Sequence, residues 1–260
     1  MKPPTVFLGE MTNLEVEAFL KEHTTVIVPV GSTEQHGPHG PLMTDVFVPT
    51  EVARRIAPEV GAVVAPSINY ALSYPHVGFT GVVHIRIPTF MSLIEDVCVS
   101  LAAIGFRRIV FLNGHYDNTY AIAYACATAS ERLPEGARAF PVNYWDGMSA
   151  EEAGEFFGPT TGLHANRGEI SAILAINPDL VDMDNANAEM PPFPEVTSPA
   201  AVHTALFFSS PGSVFRATRS GTWGDAREAS AEFGERYLSV VSAATVRLIN
   251  DIERTFEAMP

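Results

Sequence analysis

Runs of uninterrupted apolar, β-branched residues, each followed by a stretch with helical spacing, most restrict the fold of this chain. The runs cover residues 24–30, 61–68 and 108–112, and residues 137–144 form a fourth. A run without polar alternation is typical of a strand buried on both faces. Helices are predicted over residues 48–56, 88–104, 118–133, 167–176 and 226–256. This alternation predicts a doubly wound α/β fold, with a mostly parallel sheet and helices on both faces.

Nothing in the chain marks a boundary between two domains. The 260 residues contain no internal repeat, low-complexity tract or linker, and this length suits one large α/β unit. We therefore expect a single domain over residues 1–260. A segment rich in proline and serine, residues 191–211, is predicted to be an excursion on the surface.

Charge and composition disfavour several partners and locations. The formal net charge of −14 at pH 7 would repel nucleic-acid phosphates and acidic membrane surfaces. No uncharged apolar run reaches the length of about 18 residues that suggests a membrane span. Residues 1–4 have no long apolar stretch behind them, so we expect no signal peptide. Cys98 and Cys126, the two cysteines, lie in apolar helical stretches, which predicts a cytoplasmic protein without disulfides.

Polar residues collect where the predicted strands end. Ser73 follows the second strand and Trp145 the fourth. Five of the eight histidines lie in turns of this kind, namely His36, His39, His76, His115 and His164. In open parallel sheets, functional residues gather beyond the carboxyl ends of the strands. The sequence therefore predicts a functional site at that edge of the sheet.

Four residues at these strand ends have the chemistry of metal ligands. Glu34 and His36 are two apart, so in an extended segment they project to one side. Asp45 follows a turn rich in glycine and proline, and its carboxylate could bridge two cations. His115 can supply a fourth ligand. Mixed Asp, Glu and His ligation suits Zn²⁺, Mn²⁺ or Fe²⁺ and fits Ca²⁺ poorly.

Each of these residues also has an ordinary interpretation on its own. His36 could be a polar turn residue, Asp45 the N-cap of a helix, and His115 a hydrogen-bond donor to a loop carbonyl. The four together, all at predicted strand ends, favour a metal site.

These segments resemble the signatures of the creatininase family. One signature, Gly-x-x-Glu-Gln-His-Gly-x-His with a later aspartate, corresponds to residues 31–39 and Asp45. Another, Asn-Gly-His followed by Tyr-Glu-Asn or Gly-Gly-Asn, corresponds to residues 113–118. A third, a histidine and then a run like Gly-Glu-Thr-Ser that opens a helix, corresponds to His164 and residues 168–171. With residues 79–81 and 177–181, which look like the family's Phe-Pro-Gly and Pro-Asp-Leu-Val, the resemblance covers nearly the whole chain.

The resemblance implies a doubly wound α/β subunit, often in a homohexamer, that binds two divalent metal ions (Zn, Mn or Fe). The implied ligands are Glu34, Asp45 and His115 for one metal, and His36, Asp45 and one further acid for the other. By position that acid is Asp117, which is one methylene shorter than the glutamate of creatininase. Glu169 is the rival, and the resemblance favours Asp117.

The resemblance further implies that water activated by two metals hydrolyses a C–N bond in a small, cyclic amide. Residues matching the substrate side of the family's site are Ser73, Tyr116, Trp145 and His164. We expect His164 to protonate the leaving nitrogen, with orientation of a metal ligand as its alternative role. Tyr116 is expected to hydrogen-bond the substrate. Glu169 is also expected to be a catalytic residue.

The chain departs from creatininase where that enzyme would recognise creatinine. A Trp-Asp pair and a glutamate that precede the matching histidine are replaced by residues 160–163. We therefore expect a substrate other than creatinine, with a formamide or a modified peptide as alternatives. A two-metal phosphoesterase would need basic residues beside the ligands, where only Arg167 occurs. A non-catalytic binding protein would not need the ligands of both metals, so the presence of both sets disfavours that alternative.

Overall fold

A computed structural model describes residues 5–157, 161–194 and 196–259 of the chain. Residues 1–4 and Thr160 lie outside the described residues. The first bear on the expected absence of a signal peptide, and Thr160 on substrate recognition. The strands are β1 (Thr25–Val30), β2 (Ala62–Val64), β3 (Arg108–Asn113), β4 (Arg138–Asn143), β5 (Gly162–His164), β6 (Ala188–Glu189) and β7 (Trp223–Asp225). The α-helices are α1 (Asn13–Phe19), α2 (Thr44–Ile56), α3 (Ile87–Ala103), α4 (Thr119–Ser130), α5 (Ala150–Phe156), α6 (Arg167–Ile176), α7 (Pro199–Ser209), α8 (Ser213–Ala217) and α9 (Ala231–Ala258).

The four predicted strands form one parallel sheet in the order β2-β1-β3-β4. Val30 of β1 is in register with Asn113 of β3, which is in register with Asn143 of β4, so these three strands end level. Strand β2 is shorter than predicted and stops at Val64. Beyond Val64, the Ala65 N–H still donates to the Ile27 carbonyl oxygen, and an isolated bridge joins Ile68 to Val30 of β1.

Helices cover both faces of this sheet, as the alternation of elements predicts. Val26, Val28 and Val30 of β1 pack into a core cluster with side chains of α3 and α4. Ile27, on the other face, packs into a second cluster with side chains of α2, α6 and α9. The buried strands are apolar on both faces because each face has its own helical layer.

Several helix boundaries differ from the prediction. Helix α2 begins at Thr44 instead of residue 48, and Asp45 lies in its first turn, not at the N-cap. Helix α9 begins at Ala231 instead of residue 226, because the side chain of Ser230 caps it by accepting from the Phe233 N–H. The proline- and serine-rich segment contains helix α7. Helices α1 and α5, seven residues each, had not been predicted.

A small antiparallel sheet in the order β5-β7-β6 is a second feature missed from the sequence. Its strands have two or three residues, too few to show a period of two. Close backbone contact joins β5 to β7, since a Cβ at Gly162 would lie 2.2 Å from the Trp223 carbonyl oxygen. The pairing sets His164 opposite Trp223, and it fixes the strand that carries the third histidine motif.

Within the described ranges, no helix is both long and apolar enough to cross a membrane. Cys98 and Cys126 are both buried free thiols.

Candidate metal centre

The candidate ligands come together beyond the carboxyl ends of β1 and β3. These strands are neighbours, and the chain turns from β2 on one side of β1 to β3 on the other, which creates a crevice at their ends. A Cβ at Gly31 or at Gly114 would lie 2.4 Å from the Asp45 carbonyl oxygen. Only glycines at these two positions let both loops contact the start of α2 so closely. The contact brings Asp45 between His36 and His115.

In the part of the chain that the structure describes, three groups of side chains have donor atoms close enough to hold a metal ion. They are Glu34 with Asp45 and His115, His36 with Asp45 and Glu169, and Glu34 with His36 and His164. Asp45 belongs to two of the groups. Its Oδ1 lies 3.2 Å from His36 Nε2 and its Oδ2 lies 3.0 Å from His115 Nδ1. One carboxylate thus faces both halves of the site.

The two rival acids occupy different places. Glu169, in the first turn of α6, has Oε2 at 4.0 Å from His36 Nε2, and this oxygen also accepts the Ala165 N–H at 2.7 Å. Asp117 Oδ2 lies 3.6 Å from His115 Nε2, but Asp117 belongs to none of the three groups among the described residues. The arrangement therefore favours Glu169, whereas the resemblance favours Asp117.

The chemistry of these side chains fits a pair of divalent cations. Glu34 and His36 are fully buried, and Asp45, His115, Asp117 and Glu169 are 4–7% exposed. Buried polar atoms normally have hydrogen-bond partners. Among the described residues, such partners are missing at Glu34 Oε1 and Oε2, His36 Nε2, Asp45 Oδ2, His115 Nε2 and Asp117 Oδ2. Unpaired carboxylate oxygens and imidazole nitrogens that converge are the donor set of a transition-metal site.

The electrostatics of the site fit a position for positive charge. Burial raises the pKa of Glu34 well above its ordinary value and that of Glu169 to about 7. Burial alone would lower the pKa of His36, but Asp45, with Glu169 and Glu34, raises it to about 9. Burial would likewise lower the pKa of His115, but Glu34 and other carboxylates raise it well above its ordinary value. The cluster therefore gathers protons, which a divalent cation would displace.

His164 lies at the edge of the cluster. Its ring is 4.3 Å from that of His36 and 4.5 Å from that of His76, measured between centroids. Nε2 lies 2.7 Å from the main-chain oxygen of Gln35, which can only accept, so the neutral ring carries its hydrogen on Nε2. Nδ1 then presents its lone pair, 3.9 Å from Glu34 Oε1. Burial, followed by the charge of His36, holds the pKa of His164 well below its ordinary value.

The three other predicted site residues are more scattered. Ser73 is fully buried, and its hydroxyl contacts that of Ser32. Tyr116 is 39% exposed, and its hydroxyl lies 2.9 Å from Thr204 Oγ1 on α7. Trp145 is half-buried, stacks edge-on against Tyr144, and packs against the apolar cluster beneath α2 and α9.

Gln35 and His76 are polar residues of the site for which the sequence predicts no role. Both are buried at 5% exposure, and Gln35 Nε2 lies 2.9 Å from His76 Nδ1. His76 Nε2 lies 3.2 Å from Glu34 Oε1. Two signals were present in the sequence. Gln35 separates two candidate ligands, and His76 follows Ser73 by three residues in a strand-end turn.

Comparison with known families gives a match over most of the chain. The family model described as "Creatininase: Creatinine amidohydrolase" matches residues 9–249. Creatinine amidohydrolase of Pseudomonas putida is 33% identical over 253 residues, covering 91% of this chain and 93% of that protein. The mycofactocin precursor peptide peptidase of Mycolicibacterium smegmatis is 34% identical over 235 residues, covering 88% of this chain and 84% of that protein.

Solved structures of creatininase are also similar to this fold. The manganese form has a TM-score of 0.81 and 29% sequence identity, and the alignment covers 95% of this chain and 98% of that one. A variant creatininase in a Zn-Zn form has the same TM-score and identity, with 96% and 98% covered.

Proposed function

Because this chain belongs to the creatininase family of hydrolases, we propose that it is a dinuclear, metal-dependent amidohydrolase. The reaction is hydrolysis of a C–N bond in a small, cyclic amide. The strongest support is the position of Asp45, which is shared by a group with Glu34 and His115 and a group with His36 and Glu169. A carboxylate shared in this way can give one oxygen to each of two metals.

Glu34, Asp45 and His115 would hold one cation, and His36, Asp45 and Glu169 the other, with zinc or manganese as the candidates. When bound, such a pair supplies a water acidic enough to attack and polarises the substrate carbonyl. Asp117, 3.6 Å from His115, would orient that imidazole instead of binding metal directly.

His164 would move the proton. With the hydrogen on Nε2 committed to Gln35, the lone pair of Nδ1 can accept a proton from the attacking water. The same atom can then donate it to the leaving nitrogen, which cannot depart as an anion. The neutral state of His164 suits this order of steps, because the ring must first take up the proton that it later gives.

Substrate contacts would come from Ser73, Tyr116 and Trp145. The Tyr116 hydroxyl is engaged by Thr204 in this structure, so a substrate that binds it must compete with helix α7. We propose a cytoplasmic protein of one domain that acts as a homo-oligomer, a hexamer by resemblance.

Creatinine itself is not the proposed substrate. The segment that departs from creatininase leads into β5. There Leu163 is 37% exposed, so its side chain does not form a buried wall of a substrate pocket. A peptide substrate is a second candidate, since the similar protein from Mycolicibacterium smegmatis is named a peptidase. Phosphoester hydrolysis gains no support, because Arg167 stacks on Phe233 and donates to the Glu228 carbonyl oxygen.

Metal analysis of the Asp45→Ala variant tests the dinuclear site. The wild-type protein should carry close to two divalent metals per chain, and the variant should lose both, because both groups contain this carboxylate. Asp184→Ala, on an exposed turn, is the matched control and should keep them. Full metal content in Asp45→Ala would refute the dinuclear site.

A further inference from the structure

We propose that Gln35 is a positioning residue that holds His76 in the tautomer whose Nε2–H faces Glu34, and so presents that carboxylate to the metal. Gln35 is not itself a candidate ligand. The inference rests on the proposed metal function, but the tautomer of His76 can be measured independently of it.

The orientation of the Gln35 amide is fixed by two main-chain groups. Its Oε1 accepts the Gly37 N–H at 2.9 Å, and its Nε2 donates to the Gly221 carbonyl oxygen at 3.1 Å. The reverse orientation would set oxygen against oxygen and N–H against N–H. Gly221 has φ +85, and a Cβ there would lie 1.9 Å from Gln35 Oε1. A glycine at this position therefore lets the backbone close around the amide.

The second amide hydrogen has one remaining acceptor. His164 Nε2 lies 3.1 Å from Gln35 Nε2, but it is itself a donor, since it faces the main-chain oxygen of Gln35 at 2.7 Å. His76 Nδ1, at 2.9 Å, must therefore accept. A neutral imidazole that accepts at Nδ1 carries its hydrogen on Nε2.

That hydrogen is on the side of the ring that faces Glu34. His76 Nε2 is 3.2 Å from Glu34 Oε1, while Glu34 Oε2 lies 3.2 Å from His115 Nε2. The opposite tautomer would bring a lone pair against a fully buried carboxylate. With the hydrogen on Nε2, the His76 ring turns its partial positive charge to Oε1. This contact is electrostatic, since its geometry is not that of a hydrogen bond, and Oε2 remains for the group with Asp45 and His115. Outer contacts of this kind orient metal ligands and tune affinity.

Nuclear magnetic resonance on the full-length protein, recorded with and without added zinc, tests the tautomer. Imidazole ¹⁵N shifts, assigned by comparison with His76→Phe, should show the hydrogen on Nε2 in the wild type. In Gln35→Glu, whose carboxylate can only accept, the hydrogen should move to Nδ1. A wild-type His76 with its hydrogen on Nδ1 would overturn the proposal, whether or not the variants fold.

Zinc affinity, measured by competition with a chelator, tests the consequence. Gln35→Met should bind zinc about tenfold more weakly than the wild type, and Gln35→Glu more weakly still. In a His76→Phe background, Gln35→Met should cause no further loss, because its effect passes through His76.

An equal loss of zinc affinity in both backgrounds would mean that Gln35 acts only through its hydrogen bond to Gly221. That result would refute the positioning role. Circular dichroism and the melting temperature check the fold of each variant. If the wild type binds no zinc, the proposed function fails, while the ¹⁵N spectrum still decides the tautomer.

Discussion

Asp45 is the residue on which the two halves of the candidate site depend. Its carboxylate oxygens point at different histidines, His36 at 3.2 Å and His115 at 3.0 Å. Its pKa would be raised by burial alone, but His36 and His115 hold it below the ordinary range, so the group is an anion. A buried anion between two imidazoles is stable only while positive charge surrounds it. Metal ions would supply that charge without requiring either histidine to be protonated.

The choice between Glu169 and Asp117 as the second acidic ligand can be tested at the same scale. Glu169→Gln should lose about one metal equivalent, because its carboxylate completes the group with His36 and Asp45. Asp117→Asn should keep both metals and lower zinc affinity by about tenfold, the usual effect of a residue that orients a ligand. Elemental analysis after dialysis distinguishes the two variants. Loss of a full equivalent in Asp117→Asn, with Glu169→Gln unaffected, would restore the ligand that the resemblance favours.

Zinc binding should strengthen as pH rises from about 6 to about 9. His36, with a pKa of about 9, and Glu169, with a pKa of about 7, hold protons that metal must displace. Both pKa values are raised, so lower pH fills these sites with protons and weakens binding. Calorimetric titrations at several pH values, in buffers of different ionisation enthalpy, should show protons released. A pH-independent affinity would contradict this assignment, and Glu169→Gln should flatten the profile near pH 7.

At the scale of elements, helix α6 joins the site to the core. It carries Glu169 in its first turn and packs against α9. At their crossing, a Cβ on Gly234 of α9 would lie 1.8 Å from the Ser171 carbonyl oxygen. The two backbones therefore approach as closely as glycine allows, and the position of Glu169 depends on that approach.

Gly234→Ala should lower stability by about 1–3 kcal/mol, the usual cost of an overpacked core. It should also weaken zinc binding, since α6 must shift away from α9. Thermal and denaturant unfolding measure the first effect, and chelator competition the second. Gly154→Ala in α5 is the matched control, because a Cβ at Gly154 would meet no atom of a neighbouring element within 4 Å. Its stability should be unchanged or slightly higher. Equal behaviour of the two variants would show that the α6–α9 contact is not tight.

The elements that the sequence predicts are those whose burial leaves a long apolar pattern. The runs of β1 and β3 and the helical spacing of α3 and α6 have this property, and their positions are confirmed. The start of α2 was misplaced because Thr44 and Asp45 are polar yet buried. Their burial follows from the site and not from an apolar pattern, so periodicity could not reveal it.

Strands β5 to β7 were missed for a different reason. Their pairing joins residues about 35 to 60 positions apart, such as Glu189 and Gly224 or Gly162 and Gly224, and nothing local in the sequence records it. The site residues likewise divide into those that local sequence predicts and those that depend on distant pairing. Glu34, His36, Asp45 and His115 could be predicted from motifs at strand ends, whereas the contact of Gln35 with Gly221 depends on this distant pairing.

At the scale of the whole molecule, the candidate metal ligands and the proposed substrate contacts are carried partly by different elements. The candidate ligands come mainly from loops of the parallel sheet and the starts of α2 and α6. Near them, the antiparallel sheet contributes His164, and helix α7 contacts Tyr116 through Thr204. Phe207 of α7 lies 5.9 Å from the Tyr116 ring and 5.8 Å from the Trp223 ring.

We therefore expect creatinine to be a poor substrate, with kcat/KM at least about tenfold below that of some other small cyclic amide. Creatinine is small and polar, so its recognition needs several well-placed polar groups. The Trp-Asp pair that the family offers before the matching histidine is absent from residues 160–163. Loss of a buried polar contact can reduce discrimination by orders of magnitude.

The measurement is a steady-state assay, with metals replete, on creatinine beside lactams, hydantoins, formamides and short peptides. Asp45→Ala, treated identically, gives the background from contaminating enzymes. A peptide at the top of the panel would favour the second candidate function, with the same ligands acting in a wider pocket. Creatinine at the top, by tenfold or more, would show that residues 160–163 do not determine specificity. The polar contacts would then have to come from groups that remain, such as Ser73, Tyr116 and His164.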